Sequence, residues 1–359
     1  MDVLTYMGDW GHEQIMMCSD PAVGLKAVIA IHDTTLGPAC GGLRIWPYEN
    51  EEDAVRDVLR LSRAMTYKSA AADLALGGGK GVIIADPHTQ KTEAMVRSYG
   101  RFVETLGGRY ITTTDVGSTG RDLEYVRLET AHVVGLPTTA GGSGDTSVMT
   151  GLGIYMGMRA CARQIWDSDS LAGKKIAIQG FGKVAFNLAH HLLKEDAQLV
   201  VTDIYPEALD RARDMGIKVV EPEKIYDSAC EIFSPCALGG ILNADTIPRL
   251  NCRIVAGGAN NQLAGDADGE ELHRRGILYA PDYIINAGGI INASAEIGTP
   301  YNLDRAREKT ERIYETMGRV VHISKEEEVP TSQAADRLVE QRLGSVRSVK
   351  SLYRPAGPI

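Results

Sequence analysis

Two lysines pose the first chemical question. Lys68 and Lys80 lie 12 positions apart in KSAAADLALGGGK, and three consecutive glycines, Gly77 to Gly79, precede the second. A lysine is costly to bury as a cation, so one that faces inward needs a partner or a task. Glycines let backbone or ligand approach Lys80 closely. Two ammonium groups converging on such a hollow raise each other's cost of charging and lower at least one pKa, which suits a general base. The plainer alternative is a snorkelling surface lysine beside a glycine turn. Asp115 follows the β-branched run Tyr110 to Thr113, at a strand end where α/β proteins contact ligands. Capping the next element is its other reading.

A second constellation begins at the apolar strand pattern Lys175 to Gln179. It continues as Gly180-Phe-Gly182-Lys183-Val184-Ala185, a helix to about Leu193, and a strand Leu199–Thr202 that delivers Asp203, 21 positions beyond Gly182. A GxGxxA turn between strand and helix, with an acid at that distance, is a dinucleotide-binding pattern. Gly180 makes the tight turn, Gly182 admits a pyrophosphate to the helix N-terminus, and Ala185 permits close packing of helix on strand. Asp203 accepts hydrogen bonds from ribose hydroxyls and repels a 2′-phosphate, so the expected cofactor is NAD rather than NADP. Three later segments end apolar runs in the same manner: Pro235–Gly239 with Cys236 and Ala237, Gly257–Asn261 with Asn260 and Asn261, and Asn286–Gly289.

The elements that must position these residues follow from periodicity. Ala54, Val58, Leu61, Met65 and Lys68 form one stripe of a helix ending near Lys68. Leu25–Ile31 reads as a strand, followed by a polar, glycine-rich connection that holds Gly41 and Gly42. Arg44–Tyr48 reads as a short strand, the GGGK run as a turn, and Val82–Ile84 as a strand. A helix spans about Thr92 to Leu106. The Gly, Ser and Thr-rich segment Gly141 to Gly153 is the candidate hinge; it leads into a helix to about Gln164 that Ser147 caps and on which Thr150 faces a cap or ligand role. Ile232–Ser234, Arg253–Ala256 and Ile277–Ala280 complete a doubly wound parallel sheet. One helix runs from Tyr301 to about Lys325, and Thr331 caps another after Pro330. The fold class is α/β in two domains: residues 1–140, a Rossmann domain over 141–328, and a C-terminal helix and tail over 329–359 that pack on the first domain or a neighbouring subunit.

Composition narrows the function. The 359 residues are 44% hydrophobic and 24% charged, with a formal net charge of −9. That is ordinary globular composition, and the negative balance argues against a nucleic-acid partner. The basic stretch Arg342 to Arg354 reads as a solvated or subunit-contacting tail. Six cysteines without CxxC spacing read as free thiols in a reducing cytoplasm. No HxH or HExxH grouping suggests a metal; MDVLTYMGDWGHEQ has no basic region followed by an apolar run, so no signal peptide is expected; and no run is long and apolar enough to cross a bilayer.

The motifs IAIHDTTLGPACGG, LSRAMTYK, LGGGK, ITTTDVG, GDTSVMTGLG, IQGFGKV, FSPCALGG, AGGANNQL and APDYIINAGGIIN cover the chain from about His12 to Arg342. In that order they resemble the glutamate/leucine/phenylalanine/valine dehydrogenase superfamily, in particular its apolar amino-acid branch. The resemblance implies oxidative deamination of an L-amino acid to a 2-oxo acid and ammonia, with NAD taking the hydride, in a cleft that closes against water. It implies that Lys68 holds the substrate carboxylate, Lys80 is the base acting through water, and Asp115 moves protons to and from the amine. It places Gly41, Cys40, Thr113, Asn261, Ile290 and Ala293 around the substrate. Thr150, Gly180, Gly182, Lys183, Val184, Asp203, Cys236, Ala237, Asn260 and Asn286 fall around the cofactor. Where glutamate enzymes set a lysine and a serine, this sequence has Cys40 and Ala293, so a glutamate side chain is disfavoured. These small residues admit a larger ring, while Thr113 and Ile290 refill part of the space; branched-chain and aromatic substrates both stay open. The acid that usually precedes Glu296 is missing. Relatives of this kind are homo-oligomers, often octamers, whose first domain carries substrate and subunit contacts. A non-catalytic NAD-binding scaffold is the competing class, and the retained Lys68, Lys80 and Asp115 argue against it.

Overall fold

In the first part of the chain, α1 (Val3–Trp10), β1 (Gln14–Asp20), β2 (Leu25–Asp33), β3 (Ala39–Trp46), α2 (Glu51–Ala71), β4 (Gly77–Ile84), α3 (Glu93–Thr105), β5 (Tyr110–Thr114) and α4 (Gly120–Arg127) follow one another. The strands form one sheet in the order β1-β2-β4-β3-β5. β2 is antiparallel to β1 and β4, while β3 runs parallel to both β4 and β5. This computed structural model describes residues 2–348.

The glycine run is a strand rather than a turn, and it occupies the centre of the sheet. A Cβ on Gly78 would lie 2.1 Å from the Thr66 backbone nitrogen, one on Gly79 2.6 Å from the Tyr110 ring, and one on Gly81 2.0 Å from the Tyr99 hydroxyl. Helix α2 therefore lies directly on β4 from one side, and two tyrosines close on it from the other. Contact of this kind outweighs the poor strand propensity of glycine. Gly41 and Gly42 likewise belong to β3 and not to a connection, because β3 begins at Ala39. One face of the sheet packs Leu43, Ile45 and Ile83 on Val96, Tyr99 and Val103 of α3; the other packs Val28, Ala30 and Val82 on Ala54, Val58 and Leu59 of α2.

Helix α2 starts at Asn50, whose side chain accepts the Asp53 N–H. Its buried face runs through Ala54, Val55, Val58, Leu59, Ser62 and Thr66, one step round from the expected stripe, so Leu61, Met65 and Lys68 are only half-buried. At its other end the Arg342 guanidinium donates to the carbonyls of Ala70 and, at 2.9 Å, of Leu74. A cation there satisfies carbonyls that the helix leaves open. Arg347 pairs with Asp33 at 2.6 Å. These two arginines of the expected basic tail are thus bonded within the protein; residues 349–359 lie outside the described residues.

The rest of the chain forms α5 (Ser147–Trp166), β6 (Lys175–Gln179), α6 (Lys183–Lys194), β7 (Gln198–Thr202), α7 (Pro206–Asp214), β8 (Lys218–Val219), β9 (Ile232–Pro235), β10 (Ile254–Val255), α8 (Asp266–Arg274), β11 (Leu278–Tyr279), α9 (Asp282–Ile285), α10 (Gly288–Ser294), α11 (Leu303–Glu311), α12 (Ile313–Glu327) and α13 (Thr331–Arg347). Its strands pair in parallel in the order β11-β10-β9-β6-β7-β8. The strand order reverses between β6 and β9, the switch point at which doubly wound sheets bind dinucleotides. Among the described residues, two compact units result: residues 2–145 with 292–303 and 341–348, and residues 146–291 with 304–340.

Three local expectations change. Ser147 does not cap α5; its hydroxyl accepts from Asn187 at 3.1 Å. Thr331 is the first residue of α13 and donates to the Tyr279 carbonyl at 2.6 Å rather than capping. The expected helix from Tyr301 to Lys325 is two, α11 and α12, meeting at Arg312.

Candidate active site

In the first unit the sheet brings Lys80 and Asp115 together. Along β4, Gly79, Gly81 and Ile83 meet the α3 side, so Gly78, Lys80 and Val82 face α2 by alternation. Asp115 follows β5, beside β3, and the Lys80 Nζ lies 2.9 Å from its Oδ2. Lys80 is 5% exposed. Gly42 makes this possible, since a Cβ there would stand 2.7 Å from the Asp115 Cβ. Asp115 caps nothing: Thr119 and Asp122 form the capping box of α4, and the Asp115 N–H donates to Ser118 Oγ at 2.9 Å.

Electrostatics at the pair follow from burial first. Burial lowers the Lys80 pKa below its ordinary value; the bonded Asp115 opposes the shift and Arg44 adds to it. Burial alone would raise the Asp115 carboxyl, but Lys80 and Arg44 outweigh it and hold the carboxyl below its usual range. The second cation beside Lys80 is thus Arg44, where the sequence pointed to Lys68. Lys68 sits in the last turn of α2, half-buried. It falls on the helical stripe of Asp57, Leu61 and Met65, and Met65 Cγ is 3.4 Å from where a Cβ on Gly41 would be.

Three residues around the pair escaped the sequence reading. The Arg44 Nε donates to Asp115 Oδ2 at 2.8 Å and its Nη1 to Asp57 Oδ2 at 2.8 Å, while the Tyr48 hydroxyl donates to the same Asp57 oxygen at 2.6 Å. Alternation along β3 would have set Arg44 on the face of Gly42 once the strand was begun at Ala39. Of the expected side-chain pocket, Cys40 is fully buried, and burial pushes its thiol up to about 12, with Glu296 adding to the shift. Thr113 is buried beneath Gly135, where a Cβ would come 2.5 Å from its Oγ1. Glu296 accepts the N–H groups of Gly135 and Ser143 at 2.9 and 2.6 Å, anchoring that loop. Ala293 and Ile290 are buried on α10.

The second unit gathers most of the remaining residues at the switch point of its sheet. Gly180 has φ +90°, and a Cβ on it would lie 2.8 Å from that of Ala237. Gly182, which starts α6, has open space where a Cβ would be, and no side chain caps that helix. Lys183 and Val184 form the first turn, with Val184 Cγ1 3.0 Å from where a Cβ on Gly258 would be, and the Gly258 N–H donates to Cys236 Sγ at 3.4 Å. Asp203 accepts the N–H groups of Phe181 and Tyr205 at 2.6 and 2.9 Å, which ties the glycine turn to the end of β7. Asn286 donates to Asn260 Oδ1 at 2.9 Å, and its own Oδ1 is buried without a partner. Thr150 donates to the Thr146 carbonyl at 2.9 Å and lies beside Gly289. Asn261 takes φ +52° and its N–H donates to Asp282. An uncapped helix start, an open glycine and an orphaned amide oxygen fit a dinucleotide.

Residues 12–132 match the sequence model of the Glu/Leu/Phe/Val dehydrogenase dimerisation domain. Residues 141–205 and 201–345 match that of Glutamate/Leucine/Phenylalanine/Valine dehydrogenase. The chain belongs to this dehydrogenase family. It is 50% identical over 358 residues to the leucine dehydrogenase of Geobacillus stearothermophilus, covering 99% of this chain and 97% of that one. To the phenylalanine dehydrogenase of Caldalkalibacillus thermarum it is 45% identical, covering 100% and 98%. The crystal structure of L-tryptophan dehydrogenase from Nostoc punctiforme superposes with a TM-score of 0.84 at 46% identity, covering 96% of this chain and 99% of that one. As a member of the Glu/Leu/Phe/Val dehydrogenases the protein is an enzyme, an amino-acid dehydrogenase of the oxidoreductase class. No described helix is long and apolar enough to cross a membrane.

Proposed function

We propose that the protein catalyses reversible oxidative deamination of an apolar L-amino acid to its 2-oxo acid and ammonia, with NAD as the acceptor. The buried Lys80–Asp115 pair, 2.9 Å apart, carries this reading. Gly180–Val184, Asp203, Cys236–Ala237, Asn260, Asn286 and Thr150 would hold NAD, which would supply the acceptor for the hydride leaving the substrate Cα. Lys68 binds the substrate carboxylate beside the backbone of Gly41. Lys80, with its lowered pKa, accepts a proton from water as that water adds to the iminium carbon. Asp115, ionised at rest, takes up that proton from the Lys80 ammonium transiently and passes it to the amine that leaves as ammonia. Asn261 supplies a further contact to the substrate.

Substrate choice rests on Cys40, Thr113, Ile290 and Ala293. The uncharged Cys40 and Ala293 disfavour glutamate, because a buried carboxylate would stand there unpaired. A branched aliphatic side chain is the first expectation, supported by the relative at 50% identity. An aromatic one is the second, favoured by the small Cys40 and Ala293. In this reading the enzyme is a cytoplasmic homo-oligomer. The dimerisation-domain match and exposed Met17 on edge strand β1 support the oligomer, and six unpaired thiols suit the compartment.

The test is NADH formation with leucine, valine, phenylalanine, tryptophan and glutamate at alkaline pH, with NADP in parallel. Turnover with an apolar substrate and NAD is expected, together with its loss in Lys80→Ala. No turnover with any of the five would sink the proposal, and a preference for NADP would overturn the role given to Asp203.

A further inference from the structure

We infer that Arg44 is the positioning residue of this active centre, held by Asp57 and Tyr48 so that its guanidinium fixes the Asp115 carboxylate against Lys80. The inference rests on the reading of Lys80 as the base. It starts from a shared atom: Lys80 Nζ and Arg44 Nε both bond Asp115 Oδ2, at 2.9 and 2.8 Å. With both cations on one oxygen, Oδ1 is left for the substrate amine. A planar guanidinium reaches two carboxylates in a fixed geometry, which a single ammonium does not. Its other arm, Nη1, holds Asp57 Oδ2 at 2.8 Å. Asp57 is fixed in turn by the Tyr48 hydroxyl at 2.6 Å and by Arg60 on Oδ1 at 2.9 Å. The orientation of Asp115, 71 positions from Arg44 in sequence, is therefore set from helix α2 through β3.

The same arrangement governs protonation. The charged groups acting on Lys80 are Asp115 after β5, Arg44 from β3 and Asp57 from α2, with Arg60 turned to the Oδ1 of Asp57. Lys68 lies on the Asp57 stripe of α2, and β2 contributes His32, which is engaged by Thr66 and the Trp10 carbonyl. Arg44 disfavours the Lys80 ammonium, whereas Asp57 favours it. Removing Arg44 therefore raises the pKa of Lys80, and removing the Asp57 charge lowers it. A residue that merely supported the fold would not move the two in opposite directions.

The experiment compares the wild-type enzyme with Arg44→Met, Arg44→Lys and Asp57→Asn. Two quantities are followed against pH: kcat for deamination, and acetylation of Lys80 by acetic anhydride, read by mass spectrometry. Arg44→Met should move the Lys80 midpoint up by about one pH unit and Asp57→Asn should move it down. Arg44→Lys should leave the midpoint near wild type, because the charge stays, yet lower kcat by about 10- to 100-fold with little change in KM. Midpoints that shift together or not at all would overturn the inference, as would full kcat in Arg44→Lys. If Arg44→Met does not fold, Asp57→Asn and Arg44→Lys decide alone, through a downward midpoint and an unmoved midpoint with low kcat. A wild-type enzyme without turnover would refute the dehydrogenase reading, while the labelling midpoints would still judge Arg44.

Discussion

At the scale of single residues, the proposed substrate choice depends most on Cys40. It is fully buried in β3, opposite Ile111 of β5, and its thiol is pushed up to about 12, so it acts as a small apolar group rather than a nucleophile. Cys40→Leu should shift the ratio of kcat/KM values toward smaller side chains, by about tenfold for one or two added methyl-sized groups. The measurement is a competition between valine and phenylalanine; an unchanged ratio would remove Cys40 from the pocket. Lys80 and Asp115 could be singled out from sequence because each stands at the boundary of a recognisable apolar run. Arg44, Asp57 and Tyr48 were not visible there. Their contacts join residues 71 and 13 positions apart, and only the β3–β5 and β3–α2 packing makes them neighbours.

At the scale of elements, β4 shows how packing decides against local propensity. Gly77 to Gly79 read as a turn because glycine disfavours strands, yet the strand forms because α2 leaves no room for a side chain at Gly78. A methyl there would meet the backbone of Thr66 at 2.1 Å and of Ser62 at 2.3 Å, and helix backbone cannot yield as a side chain does. Gly78→Ala should therefore cost about 3 kcal/mol or more in urea unfolding. Gly318→Ala, inside α12 with nothing within 4 Å, should be neutral or stabilising by up to about 1 kcal/mol. Equal effects of the two would refute the close-approach argument. The elements of the second unit were far more legible: β6, the glycine turn, α6 and β7 fall within a few residues of their expected positions. Each has its own strong period there, and one local motif contains the whole crossover. β1 was missed because its alternation is weak and mostly half-buried, and α1 because it buries no residue that would mark a stripe.

At the scale of the whole molecule, stability should depend on pH through two buried histidines. His12 and His32 pack edge to face at 4.7 Å between α1, β2 and α2. His12 bonds the Leu59 carbonyl, and His32 bonds Thr66 and the Trp10 carbonyl. Burial lowers both, His32 to about 4 from the ordinary 6.5. Between those values the unfolded chain binds more protons than the folded one, so stability is full above pH 6.5 and falls as pH drops toward 4. His32 alone should account for up to about 3 kcal/mol of that loss. Asp33, Asp57 and Asp115, held low by cations, add their own loss at lower pH, below about 3.8. Urea midpoints at pH 7.5 and pH 5 check this, with His32→Asn expected to flatten the slope; an equally steep slope in the variant would clear His32 of the effect.

The division of the chain into units has a consequence for its birth on the ribosome. Among the described residues, the first unit is completed by residues 292–303 and 341–348. Glu296 anchors the Gly135–Ser143 loop, Arg342 closes the end of α2, and Arg347 pairs with Asp33. At about 5–20 residues per second, the nascent N-terminal segment waits many seconds for these partners. The usual order of synthesis is thereby inverted. The part translated first is the part finished last, and the sheet of the second unit can fold while the first unit is still missing its final pieces.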